Sequence, residues 1–250
     1  MNDVAVARSD LAPTGQMRVA INLGNPVLAQ REEATGDLKG VSVALANKLA
    51  QELEVSIQLI PYDAAGKVFA ALENELWDLA FLAIEPVRAE KIAFSTHYVS
   101  IDGTYIVSKE SSVHSASELD VFGCRIAVGR GAAYDLYLSR TLQHAELIRA
   151  PTSAEAVDVF LEQSLDAAAG VRQPLERIAR SNPELKVLLD NFTEIRQAMA
   201  VPKARSKAAE YVQAFISRQL SNGFVAKALA DSGQQDARVA TQSAVRSVKS

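Results

Sequence analysis

A chain of 250 residues, 48% hydrophobic and 22% charged, has room for one large domain or two smaller lobes around a buried core. A net charge of -4 offers no electrostatic footprint for nucleic acid or for an anionic membrane surface. One cysteine, Cys124, excludes an internal disulfide and a multi-cysteine zinc site, and three histidines, His97, His114 and His144, lack the spacing of metal ligands, so neither metal nor cofactor is expected.

Residues 1–16 are polar and end in Pro13-Thr14-Gly15, which reads as a poorly ordered lead-in. They lack a basic region followed by an apolar one, so no signal peptide is expected in this stretch, and no apolar run is long enough to insert in a bilayer. The expected setting is therefore the cytoplasm, or the periplasm if a signal has been removed. Residues 18–23 alternate, with Val19, Ile21 and Leu23 on one side, as a strand does, and Gly24-Asn25-Pro26 ends it. Residues 31–40 read as a charged turn. Leu45, Leu49 and Leu53 stack at four-residue spacing in a helix over 41–53. Val55, Ile57 and Leu59 form a second strand, 61–66 a loop, and Val68, Phe69 and Leu72 a helix closing near Asn74. A third strand over 78–82 leads into LAIEPVRAEKIAFSTHY, where the chain turns polar around Arg88. Strand, helix, strand, helix, strand describes an α/β unit with a parallel sheet, and ligands of such sheets bind beyond the carboxyl ends of the strands. An arginine just past a strand end suits an anion, because its planar fork matches a carboxylate; a solvated loop arginine is the plainer alternative.

Asp102-Gly103 reads as a bend and 105–107 as a strand leading onward. A short helix at 115–119, a strand at 125–128, the turn Gly129-Arg130-Gly131-Ala132-Ala133 and a helix through Tyr134 and Leu138 come next. Cys124 precedes the strand as a buried, inert thiol. Thr152-Ser153-Ala154-Glu155 is a capping box, with Val157, Phe160 and Leu161 on the buried face of its helix. A strand at 165–169, a helix at 174–180 and a strand at 187–189 complete a second, smaller α/β unit. A returning strand at 195–201, a long helix at 204–220 and a short one at 225–229 follow; the residues from about 233 read as a frayed tail.

This order resembles the family 3 bacterial solute-binding proteins, the amino-acid-type receptors of ABC transporters. The stretches RVAINLGNPV, KGVSVALANKLAQEL, ALENELWDLAFLAIEPVRAEKIAFSTHY, CRIAVGRGAAY and SLDAAAGV carry the resemblance across roughly residues 17–235. It implies a two-lobe type II periplasmic-binding fold: lobe one from 17–103 and 194–235, lobe two from 104–193, two crossing segments as a hinge, and a tail over 236–250. It also implies that Arg88 grips a ligand carboxylate and that the loop 129–133, with Arg130, Gly131 and Ala132, adds backbone N–H groups at a helix start. Gly129-x-Gly131 is no dinucleotide fingerprint, since Tyr134 stands where a third glycine would be.

The departures narrow the ligand. Ala83 and Glu85 stand where the family usually has hydroxyls, and Asn25 and Ala64 where aromatic rings sandwich the ligand. The acid that holds an α-ammonium is replaced by Val171, with Arg172 beside it, and the acid of the first strand's loop by Asn22. A buried ammonium without a counter-charge is costly, so the expected ligand is a carboxylate other than a standard α-amino acid: a hydroxy, keto or aromatic acid. Arg130 and Arg172 offer a second anionic contact or are surface charges. Glu85 is a helix-start carboxylate beside Arg88, or a general acid or base if the chain is an enzyme. Ser95 supports the backbone, and His97 and Tyr98 pack near the crossing. The leading expectation is a non-enzymatic binding protein that closes two lobes over a small carboxylate and docks on an ABC permease. The alternatives are a cyclohexadienyl-dehydratase-like lyase, with Glu85 its one catalytic candidate, and a cytoplasmic ligand-sensing module.

Overall fold

A computed structural model describes residues 3–240. The chain runs through α1 (Asp3–Leu11), β1 (Gln16–Asn22), β2 (Gln30–Arg31), β3 (Leu38–Lys39), α2 (Val41–Leu53), β4 (Ser56–Tyr62) and α3 (Ala65–Ala71). It continues with β5 (Leu79–Ala83), α4 (Pro86–Ala89), β6 (Ile92–Phe94), β7 (Val99–Ser108), β8 (Arg125–Gly129), α5 (Ala133–Thr141) and β9 (Glu146–Ala150). The rest is α6 (Ser153–Glu162), β10 (Ala167–Val171), α7 (Arg172–Ser181), β11 (Leu185–Val187), β12 (Thr193–Pro202), α8 (Ser206–Ser221), α9 (Phe224–Asp231) and β13 (Arg238–Val239). Short 3-10 turns lie at Leu72–Asn74 and Ala116–Leu119.

Two compact units divide these elements. The first takes the chain up to Tyr62, Lys67–Ser100 and the chain from Arg196; the second takes Asp63–Gly66 and Ile101–Ile195. The chain therefore passes from one to the other within β7 and returns within β12.

The first unit is built on β1, with β4 and β5 parallel to it on either side. β12 joins β5 antiparallel, and β6 pairs with β12. All five residues of β5 are buried, as befits a strand covered on both faces. α2 lays Leu45, Leu49 and Leu53 into the core, and α8 adds Phe215 and Ile216. α2 begins at Gly40, whose φ of 115° suits only glycine. A Cβ there would fall 2.4 Å from the Leu28 carbonyl oxygen, so the close approach of the loop also demands glycine.

The second unit is ordered β7, β10, β8, β9. β10 is antiparallel to β7 and parallel to β8, and β8 is parallel to β9. Its core gathers Ile106, Ala127, Val157, Phe160, Leu165 and Leu175. The capping box is in place: Thr152 Oγ1 accepts from Glu155 N at 3.2 Å.

Several expectations change. The supposed lead-in is a helix, α1, with Ala7 and Leu11 buried against α8 and α2. Its sequence is too polar and short to announce itself; it is stable only because a partner helix receives its apolar side. The expected charged turn at 31–40 lies within a two-strand hairpin in which Gln30 pairs with Lys39 and Arg31 with Leu38. Asp102 and Gly103 continue β7, with Gly103 opposite Val171. Gly103 is accommodated because Phe192 and the Thr193 methyl cover the space its side chain would need. β9 was not anticipated, since ELIRA has little alternation and the strand lies at the sheet edge. Leu161 is 46% exposed, while Val157 and Phe160 form the buried face of α6. In the expected tail, β13 pairs with Val99 and Ser100; residues 241–250 lie outside the described residues.

Candidate functional site

The carboxyl end of β5 carries an inverted pattern. Glu85 and Arg88 are buried, at 7% and 1% exposure, while Ile84 and Val87 are turned outward. Charged residues are almost never buried unless paired, so this inversion marks the turn as more than a connection. Pro86 opens the single turn of α4, and the Glu85 carbonyl accepts from the N–H groups of Arg88 and Ala89, each at 3.0 Å. That turn returns the Arg88 side chain to the strand end, where Nη1 donates to the Ala83 carbonyl at 3.0 Å. Burial lowers the Arg88 pKa to about 10, opposed by the nearby Glu85 charge, and the guanidinium stays protonated at neutral pH.

The other first-unit candidates build the loops around this turn. Asn22 Oδ1 accepts from Gly24 N at 3.0 Å, and the buried Asn25 accepts from Val27 N at 3.2 Å, both as side-chain turns. Ala83 is buried and opposite Gln197 of β12. Gln197, also buried, was not singled out from the sequence; it is a polar residue in an otherwise apolar run, and only the register of β12 on β5 brings it beside Ala83. Ser95 Oγ donates to the Thr96 carbonyl and accepts from Met199 N, a backbone support as expected. Tyr98 is fully buried against Phe81, with its hydroxyl 3.3 Å from Ser42 Oγ, and burial drives its phenol well above the ordinary range.

In the second unit, the expected N–H groups of Arg130, Gly131 and Ala132 before α5 are each already in use within the protein. Arg130 N donates to Ala150 O at 2.9 Å, Gly131 N to Asp135 Oδ2 at 2.8 Å and Ala132 N to Gly129 O at 3.0 Å. Asp135 is buried and in turn accepts from Arg149 Nε at 3.0 Å, so the helix start already holds an internal carboxylate. Gly131 has φ 68°, the left-handed conformation glycine permits at this turn. The Arg130 side chain is exposed.

Arg172 is neither a plain surface charge nor an open anion contact. Its Nη2 donates to the carbonyls of Leu189 and Asp190 at 3.0 and 2.9 Å, and its Nε to Asn191 Oδ1 at 3.1 Å. It ties the start of α7 to the loop before β12. Val171 closes β10 as a half-buried side chain with no polar atom.

Cys124 is buried and its thiol is pushed up to about 11 by burial, the state of an inert thiol. Among the described residues no group of His, Cys, Asp and Glu is placed to hold a metal, and no helix is long and apolar enough to cross a membrane. A cavity of about 300 Å³ in the first unit, floored by Phe224 and Ala228 and edged by Lys39 and Lys227, includes none of the residues above.

A model of the bacterial extracellular solute-binding proteins, family 3, matches residues 17–231. The L-cystine-binding protein TcyJ of Escherichia coli (strain K12) is 25% identical over 200 residues, which is 75% of this chain and 71% of that protein. Among solved structures, the solute receptor for L-cysteine of Neisseria gonorrhoeae has a TM-score of 0.78 at 19% identity, covering 92% of each chain. The cysteine-binding protein from Campylobacter jejuni has a TM-score of 0.77 at 20% identity, covering 93% of each. At such identities the structures establish the fold, a mixed α/β type II periplasmic-binding architecture.

Proposed function

The chain belongs to family 3 of the bacterial extracellular solute-binding proteins, and from that premise we propose that it binds a small carboxylate-bearing solute anchored by Arg88. The observation that carries the reading is the burial of a charged Arg88 at the carboxyl end of β5, held in place by the Ala83 carbonyl. A carboxylate laid against the planar guanidinium fork would make two parallel charge-assisted hydrogen bonds.

The solute is a carboxylate other than a standard α-amino acid. Val171 and Asn22 provide no counter-charge for an ammonium, and Glu85 lies close enough to Arg88 to raise its pKa. The relatives named for L-cystine and L-cysteine make those two amino acids the first comparison set. Closure of the two units over the solute, and delivery to an ABC permease at the periplasmic face, are the parts of the proposal that come from the family.

A thermal-shift screen tests the reading. Cystine, cysteine and arginine are compared with hydroxy, keto and aromatic acids. Stabilisation by one of these acids is the expected result. Stabilisation only by solutes with an intact α-ammonium would overturn the solute class, and stabilisation only by solutes without a carboxylate would overturn the anchor. Scattering with and without the stabilising solute then reads closure as a smaller radius of gyration.

A further inference from the structure

We infer that Gln197 is a solute contact that sets specificity, its side-chain amide donating to an oxygen on the carbon next to the carboxylate, so that the solute is a hydroxy or keto acid. The inference rests on the carboxylate-solute reading above and adds the second group that the solute carries. Arg88 and Gln197 both belong to the first unit, so one unit supplies both contacts.

Ala83, the last residue of β5, relates the two. Its carbonyl holds Arg88 Nη1 at 3.0 Å, and across the ladder it stands directly opposite Gln197 of β12. The next pair carries a ladder hydrogen bond, Ile84 N to Arg196 O at 2.9 Å. Ala83 and Gln197 are therefore a non-hydrogen-bonded pair, whose side chains share one face at the closest spacing an antiparallel ladder allows. Ala83 ends in a methyl group, and the Gln197 side chain extends past it. β5 is parallel to β1, and ligands of such sheets bind at this carboxyl end.

From Gln197 to Val201 β12 is buried, and Gln197 alone in that run has a hydrogen-bonding side chain. Only 5% of the residue is exposed. Its amide makes no hydrogen bond with the described residues, yet it is not among the buried polar atoms shut off from solvent. Gln173 Oε1, in the second unit, also lacks a donor, but it is shut off. The Gln197 amide thus keeps open surface for a solute atom. A nearly buried amide with its hydrogen bonds unspent needs an explanation, and a solute oxygen supplies one.

The chemistry selects among solutes. A primary amide offers two N–H donors and one carbonyl acceptor. A keto oxygen takes a donor, and a hydroxyl takes one or gives its own. An ammonium meets only the carbonyl dipole, and a desolvated ammonium needs a counter-charge. A bare methylene leaves the amide dry and unpaired, which a polar site penalises more than a change in carbon skeleton.

Isothermal titration of the full chain with two sets of acids tests this. One set is 3-phenyllactate, phenylpyruvate, L-phenylalanine and 3-phenylpropionate; the other is lactate, pyruvate, L-alanine and propionate. In at least one set the hydroxy or keto acid is expected to bind about tenfold tighter, or more, than the unsubstituted acid. Gln197→Leu is expected to shrink that gap below about threefold by weakening the oxygenated acids. Gln197→Glu, of equal length, keeps an acceptor and loses both donors. It is expected to raise the preference for the hydroxy over the keto acid by about tenfold, and it serves if the leucine variant does not fold. A side chain that only packs would move all the acids alike and leave these ratios where they were. Ratios unchanged in the folded variants therefore overturn the Gln197 assignment. Binding of the acids without any gap in the parent protein overturns it too, while leaving Arg88 as anchor. Failure of every acid in both sets overturns the inference together with the reading it rests on.

Discussion

Arg18 grips the fully buried Asp78 at two points, Nε to Oδ2 at 3.0 Å and Nη2 to Oδ1 at 2.8 Å. The Arg18 backbone N–H adds a bond to Oδ2 at 2.9 Å, and Arg205 Nη1 reaches Oδ1 at 2.6 Å while also holding the Asp10 carbonyl. One carboxylate at the amino end of β5 thus joins α1, β1 and the start of α8. It lies at the far end of the strand from Arg88, so its role is to hold the first unit together.

The acid stability of the protein follows from this cluster. Desolvation alone would raise the Asp78 carboxyl, but the bonds from Arg18 and Arg205 outweigh it and hold the folded pKa below its ordinary value. A depressed carboxyl contributes its full stabilisation above the unfolded pKa of about 3.9, and the contribution disappears as pH falls through the folded value. Unfolding midpoints measured from pH 6 to pH 3 are expected to drop mainly below about pH 4. Asp78→Asn is expected to flatten that drop and to cost stability at neutral pH, toward the lower end of about 3–5 kcal/mol because both arginines reach solvent.

The docking of α1 is testable by a single truncation. Leu11 is fully buried, and Leu11→Ala is expected to cost about 2–5 kcal/mol in denaturant unfolding. A cost near zero would mean that α1 frays from the first unit in solution.

Arg88→Met removes the charge while keeping most of the side-chain volume. Because the buried Glu85 carboxylate then loses the positive charge of Arg88, and the Ala83 carbonyl loses its donor, unfolding stability is expected to fall by up to about 3–5 kcal/mol. Solute binding to the folded variant is expected to weaken by about 2–5 kcal/mol, the usual loss when one member of a buried charge pair is removed. Titration calorimetry beside thermal unfolding separates the two effects, and undiminished affinity removes the anchor.

Glu85→Gln removes the negative charge that faces Arg88. A carboxylate solute is expected to bind about three- to tenfold tighter, since a like charge near its site is gone. A tenfold loss would instead assign Glu85 to a donor on the solute. Loss of prephenate turnover in this variant would bring forward the lyase.

Thr152→Ala is expected to cost about 1 kcal/mol, the typical worth of a capping side chain, read as a lower unfolding midpoint with unchanged solute affinity.

Much of the fold was readable because its signals are local. The spacing of Leu45, Leu49 and Leu53 sets α2, the alternation from Val19 sets β1, and Thr152 with Glu155 marks the start of α6; each acts within a few residues. Arg88 stood out as a charge just after an apolar strand, but its candidacy as an anchor came from the family resemblance. Elements without a strong local pattern were not. α1 and β9 become stable through neighbours remote in the chain, and Asp102-Gly103 has the composition of a bend but the hydrogen bonds of a strand.

The sequence by itself determined the α/β order, the kinship with solute-binding proteins and the candidate anchor, because periodicity, capping and motif spacing are properties of adjacent residues. Only the tertiary structure decided which polar groups are already spent. Arg172 is consumed by a loop at 189–191, Gly131 N by Asp135, and Asp78 by arginines at positions 18 and 205, whereas Gln173 Oε1 is left without a donor among the described residues. Hydrogen bonds saturate pairwise, and apart from Gly131 with Asp135 these partners are remote in the chain, so the spacing of neighbouring residues carries no record of them.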